Sequence, residues 1–202
     1  MGFFDARACA RLGRGYPQTV MLEVLRQPVL DAAARADVRE AVARVYARLQ
    51  HEIDLRRPVC SSSGRCCRFD EFGHRLYVST LELAAFVAEL GIDAEPPEAS
   101  LLPARRNPLP VLVSSIVQSA MPTCPFQIEN LCSVHAIRPF GCRMFFCDAT
   151  STQWQNERYE EFHAELKRLH VELNVPYFYV EWRAALAAMG VGEQATGSRG
   201  GG

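Results

Sequence analysis

The sequence predicts a mainly α, small α+β domain, with helices from both ends of the chain packed around an irregular, cysteine-rich metal-binding centre with short strands. Three observations predict it. Apolar residues repeat at helical spacing in stretches before, between and after the cysteines. The β-branched and aromatic runs between them are too short for a large sheet. The segments that carry cysteines are rich in Gly, Pro and Ser and fit no regular element.

Taken in order, residues 1–27 are mixed, with Gly13, Gly15 and Pro17 against any long element, and read as an N-terminal extension. A single domain with flanking helices follows over 28–189. Asp37 and Glu40 form a D-x-x-E capping pattern. Val38, Val42, Val45, Leu49 and Ile53 share one face after it, so a helix is expected from about 31 to 54, stopped by Pro58. Residues 59–75 read as a cysteine-bearing loop, and Leu76-Tyr77-Val78 as a short strand. Ser79 and Glu82 make a second capping box ahead of the stripe Leu83, Phe86, Val87 and Leu90, with Gly91 at the left-handed C-terminal cap. Five prolines between 93 and 110 mark a surface connection, and Val111–Gln118 reads as a strand. Thr150 and Gln153 offer a third capping pattern before Phe162, Leu166, Leu169 and Leu173, which predict a helix over 152–173. Pro176 opens a last segment, expected to be helical to about 189. The Gly-rich tail, 190–202, is expected to be disordered.

Composition narrows the function. At 202 residues the chain can bury a core without covalent staples. Its formal net charge of −1 supplies no global positive field, so no nucleic-acid partner is expected. The start, Met-Gly-Phe-Phe-Asp-Ala-Arg, lacks the basic-then-apolar pattern of a secretory signal, and no window approaches 18 uninterrupted apolar residues. No membrane partner and a cytoplasmic, reducing location follow as expectations. The count that departs from the ordinary is cysteine, eight in 202.

Seven of the eight form two groups, Cys60-x5-Cys66-Cys67 and Cys124-x7-Cys132-x9-Cys142-x4-Cys147, while Cys9 stands apart. Thiolates that share a metal must bring several sulfurs to within about 2.3 Å of one point, which irregular loops permit and a helix does not. The competing readings are a set of small buried hydrophobes, the bland reading for Cys9, and a disulfide network, for which seven is an awkward number. In a reducing compartment clustered cysteines favour metal. Thiolates suit zinc and iron–sulfur clusters alike, so the cofactor is one or the other.

Both groups resemble the bacterial YkgJ-type cysteine-cluster family of zinc- or iron-chelating domains, whose pattern is C-x2-C-G-x-C-C, then C-P-F/L, then C-x-V/I-x-x-x-R-P-x-x-C-R and a final cysteine. Here the first block is Cys60-Ser61-Ser62-Ser63-Gly64-Arg65-Cys66-Cys67, followed by Cys124-Pro125-Phe126 and Cys132-Ser133-Val134-His135-Ala136-Ile137-Arg138-Pro139-Phe140-Gly141-Cys142-Arg143, with Cys147 last. The resemblance covers about 60–148 and implies Cys60, Cys66, Cys67, Cys124, Cys132, Cys142 and Cys147 as metal ligands. Ser63 departs from it, standing where the pattern has its second cysteine. The position is then open, or Cys9, His135 or His74 replaces the thiolate, or the chain holds fewer metals than its relatives.

Arg65, Arg138 and Arg143 are candidates to support the thiolates or to bind an anion, because four thiolates on one zinc carry a net charge of about −2. Phe69, Phe126, Phe140, Phe145 and Phe146 read as an apolar shell against water. Three functions compete. The first is metal binding with the metal at least structural. The second is a metal-dependent enzyme modifying a protein or peptide, methylase-like, since the resemblance extends to flagellin lysine N-methylases. Such an enzyme calls for a pocket lined by Arg138, Arg143 and an acidic residue. The third is a metal carrier or sensor.

Overall fold

The computed structural model describes residues 18–91 and 122–191. Cys9, the proline-rich connection, the Val111–Gln118 strand and the tail beyond Val191 lie outside the described residues. The described chain is mainly helical with two small antiparallel sheets of two strands, an α+β domain.

The N-terminal helices differ from the expectation. Helix α1 spans Gln18–Ala34 and α2 spans Ala36–Arg56. Residues 18–27 are therefore helical, and Leu25 contributes to the core beside Val29 and Ala32. The break falls at Arg35, which is extended (ψ 122°) and sends its guanidinium to Asp37, at 2.7 Å, and to the Leu173 carbonyl, at 2.9 Å. Asp37 thus sits inside the first turn as an ion-pair partner and caps nothing. The predicted stripe is the buried face of α2.

After a 3-10 turn at Arg65–Cys67 and a short helix α3 (Phe69–Phe72), strand β1 (Tyr77–Ser79) leads into α4 (Thr80–Glu89). The Ser79/Glu82 capping box is formed as predicted: the Glu82 N–H donates to Ser79 Oγ and the Ser79 N–H donates to Glu82 Oε2, at 2.8 Å. Gly91 closes α4 with φ of 68°. Helices α1 and α4 pack face to face, and Leu81, Leu83, Phe86 and Val87 join α1 in the main core.

Strands β2 (Gln127–Ile128) and β3 (Leu131–Cys132) make a hairpin absent from the expectation. Its two turn residues, Glu129 and Asn130, both have positive φ (49° and 68°), the backbone of a turn that matches strand twist. Helix α5 (Phe140–Met144) and α6 (Thr152–Glu172) follow. Thr150 does not cap α6. Asp148 accepts from the Thr150 N–H and both nearby hydroxyls, capping a 3-10 turn (Ala149–Ser151) that precedes the helix. Phe162 and Leu166 of α6 close a second core against Val45, Leu49, Ile53, Phe140 and Met144.

The last segment divides. Tyr179–Glu181 is strand β4, and only Trp182–Ala188 is helix, α7. Strand β4 pairs antiparallel with β1 through Tyr77–Glu181, Val78–Val180 and Ser79–Tyr179. An aromatic, β-branched run suits a strand once an edge is available, and β1 offers one. None of the described helices is long and apolar enough to cross a membrane.

Candidate metal centre

The two cysteine blocks are brought together by backbone. The Cys124 N–H donates to the Cys67 carbonyl at 2.8 Å, and the Asp70 N–H donates to the Pro122 carbonyl at 3.2 Å. Gln127 Nε2 donates to the Gly64 carbonyl at 3.0 Å. Gly64 has a φ of 68°, and a Cβ there would meet the Asn130 backbone at 2.9 Å. Only glycine allows the first block to lie this close to the hairpin that carries Cys132.

Four thiols converge as a result. Cys66 Sγ and Cys67 Sγ are 3.9 Å apart, and the Cys67 thiol is also within hydrogen-bonding reach of Cys124 and Cys132. Its contacts with Cys124, Cys132 and Cys66 hold the pKa of the Cys67 thiol far above the ordinary thiol range. The same contact from Cys67 lowers Cys66 to about 7 and Cys132 to about 6, and it lowers Cys124 as well. Cys142 lies close enough to feel Cys124, Cys132 and Cys66, and burial is the main cause of its raised pKa. Cys60 and Cys147 are exposed, and Cys147 Sγ sits 3.9 Å from Ser63 Oγ. The seven described cysteines are all free thiols.

Among the described residues no three His, Cys, Asp or Glu side chains stand in the spacing of a formed metal site; the sulfurs gather around the Cys67 thiol. Their chemistry nonetheless fits a soft metal. Two bonds of about 2.3 Å at a tetrahedral angle separate sulfurs by about 3.8 Å, close to the 3.9 Å between Cys66 and Cys67. One thiol proton cannot serve three acceptors, whereas a cation satisfies all four sulfurs. Trp182 Nε1 adds a second sign. It is a buried donor with no well-formed hydrogen bond among the described residues, and it lies beside Cys124, where its N–H favours the thiolate.

The three arginines separate. Arg138 is half-buried and faces Cys142, Cys132, Cys66 and Cys60. Burial lowers its pKa, and among the described residues its Nε has no partner and its only hydrogen bond is a long one, 3.4 Å, to the His135 carbonyl. Arg143 instead braces the loop, donating to the Arg138 carbonyl at 2.8 Å and the Ala136 carbonyl at 2.7 Å, with its guanidinium 4.4 Å above the Tyr46 ring. Arg65 is exposed and lies over Phe72 at 4.6 Å. His74 Nε2 donates to the Cys66 carbonyl at 3.3 Å with its ring stacked on Phe145, which commits that nitrogen, and His135 is exposed. Of the expected apolar shell, Phe69 and Phe140 are buried, Phe126 and Phe146 half-buried, and Phe145 exposed.

A cleft of about 400 Å3 opens beside Cys66 and Cys142. Neither Arg138 nor Arg143 lines it, nor does an acidic residue, unlike the pocket a peptide-modifying site was expected to show. Arg143 lines a different cleft, of about 280 Å3, with Glu89, Tyr46 and Arg39 but without Arg138. Glu82, read from sequence only as a cap, has a second task. Its Oε1 accepts the Phe140 N–H at 3.2 Å, so one carboxylate ties the start of α4 to the start of α5, the helix that carries Cys142. No sequence signal marks that long-range contact. No family model, curated protein or solved structure matches the chain.

Proposed function

We propose that this chain binds zinc or an iron–sulfur cluster through its clustered cysteine thiolates, with the metal at least structural. Arg138 is the observation that carries the reading. A half-buried guanidinium loses hydration, and among the described residues no carboxylate returns that loss; four thiols face it instead. Neutral thiols would leave that cation uncompensated, whereas thiolates on a metal would stabilise it and be stabilised by it. Cys66, Cys67, Cys124 and Cys132 would hold the metal, with Cys142 alongside and Cys60 and Cys147 at the rim. The metal supplies the charge that keeps these sulfurs ionised together.

The resemblance of both cysteine blocks to the YkgJ-type family supports the same reading. Exposed free thiols at Cys60 and Cys147 suit a reducing, cytoplasmic location. A structural role fits these segments, since 59–75 and 122–148 hold only short elements to order them otherwise.

Arg138→Gln tests the arginine's role. Removing a supporting group of this kind costs roughly 10–100-fold in metal affinity. Competition against a chelator of known affinity should show a loss of that size with the helical circular dichroism unchanged. Affinity equal to wild type would remove the observation on which the reading stands. The same titration separates a structural site from a carrier. Metal given up only on unfolding fits the structural role, and metal that exchanges freely from the folded chain does not.

A further inference from the structure

The cleft beside the thiols has a chemistry of its own. Its volume, about 400 Å3, lies within the roughly 300–1,000 Å3 of small-molecule sites. Five aromatic rings stand in its walls. Tyr77, Tyr159 and Tyr179 come from β1, α6 and β4, and Phe69 and Phe145 come from the cysteine-bearing segments.

Arg75, Gln155 and the tyrosine hydroxyls turn donors to the cleft, while His74 and Asn156, its other polar side chains, can donate or accept. Arg75 is exposed and makes no hydrogen bond or ion pair among the described residues. Gln155 spends its oxygen on the Phe146 N–H, at 2.9 Å, and so leaves its NH2 group to donate. The Tyr159 and Tyr179 hydroxyls are 2.8 Å apart. One must donate to the other, and the acceptor keeps its own proton for a third group. No Asp or Glu lines the cleft. Ring faces combined with surplus donors and one unpaired cation select a planar ligand that carries acceptors and negative charge. An amine would find Arg75 and no carboxylate. A purely apolar ligand would leave the donors unanswered.

We propose that this cleft binds a small aromatic carboxylate, with its ring among the tyrosines and its carboxylate on Arg75. The proposal goes beyond metal binding and does not depend on it, because the groups that would make the contacts are not thiols. It places a ligand beside Cys66 and Cys142, where occupancy and the state of the sulfurs can influence each other.

Calorimetric titration of the full chain with phenylacetate, and with phenethylamine as its charge-reversed counterpart, tests this. Phenylacetate should bind saturably at one site and at least tenfold more tightly than the amine. Arg75→Ala should weaken it about tenfold or more, the scale of a lost charged hydrogen bond, with circular dichroism and metal content unchanged. Absence of saturable phenylacetate binding, an amine that binds as well or better, or wild-type affinity in Arg75→Ala would each overturn the proposal. Metal content read on the same samples keeps this outcome separate from the fate of the metal reading.

Discussion

Cys67→Ser should abolish stoichiometric metal binding, with affinity falling more than 100-fold and the folded state losing several kcal/mol. The size follows from position. Cys67 is the buried sulfur that touches Cys66, Cys124 and Cys132 at once, and its carbonyl also takes the Cys124 N–H. A hydroxyl ionises far less readily than a thiol and is a weak ligand for a soft metal. Removing a ligand should exceed the roughly 10–100-fold that loss of a supporting contact costs. Because metal binding and folding share one free energy in a loop-rich centre, stability falls with affinity. Cys60→Ser is the comparison. Cys60 is exposed and outside the converging group, so it should change affinity by less than about tenfold. Chelator competition and thermal unfolding of both variants, each loaded with metal, check this. Equal losses in the two would mean that the structure assigns the thiols to the wrong group.

Glu82→Gln should change how stability depends on pH. The carboxyl is buried, and that burial raises its pKa from 4.5 to about 7 in spite of the backbone N–H groups of Ser79 and Phe140. With the folded value above the unfolded one, Glu82 contributes stability that is fully present below 4.5 and is lost as pH rises through about 7. That rise corresponds to something on the order of 3 kcal/mol. Glutamine has no such ionisation, so the stability of the variant relative to wild type should improve by that order between pH 4.5 and pH 7 and level off above. Tyr46, Tyr159, Tyr177 and Tyr179 feel Glu82, and burial raises all four, so they stay neutral across this window. Titration of the thiols is common to both proteins and cancels in the difference. Denaturant unfolding of both across that range is the measurement, and a gap that does not move with pH would contradict the assignment.

Local patterns in the sequence were legible where they were strong. The stripe on α2, the Ser79/Glu82 box and the α6 repeat each depend on residues three or four apart, and each formed. What failed was decided at long range. Arg35 ends α1 by reaching Leu173, across the fold. Tyr179–Glu181 is a strand because Tyr77–Ser79 lies beside it. The β2–β3 turn was hidden because Glu129 is not a residue that advertises positive φ.

The site divides in the same way. Spacing and composition picked out the seven clustered cysteines, but the grouping of Cys66 and Cys67 with Cys124 and Cys132 comes from the Cys67–Cys124 backbone bond and from the Gln127 side chain on the Gly64 carbonyl. Sequence could not separate the three arginines, since proximity to a cysteine in the chain says nothing about which way a long side chain turns. The tyrosine cleft combines residues from β1, α6 and β4, three elements with no shared motif.

The most direct test is elemental analysis with a visible absorption spectrum on the full chain purified without oxygen. Zinc or iron in near-stoichiometric amount should be present, and iron accompanied by sulfide and a broad band at about 400 nm would identify a cluster. Folded protein that carries neither zinc, iron nor sulfide would contradict the account.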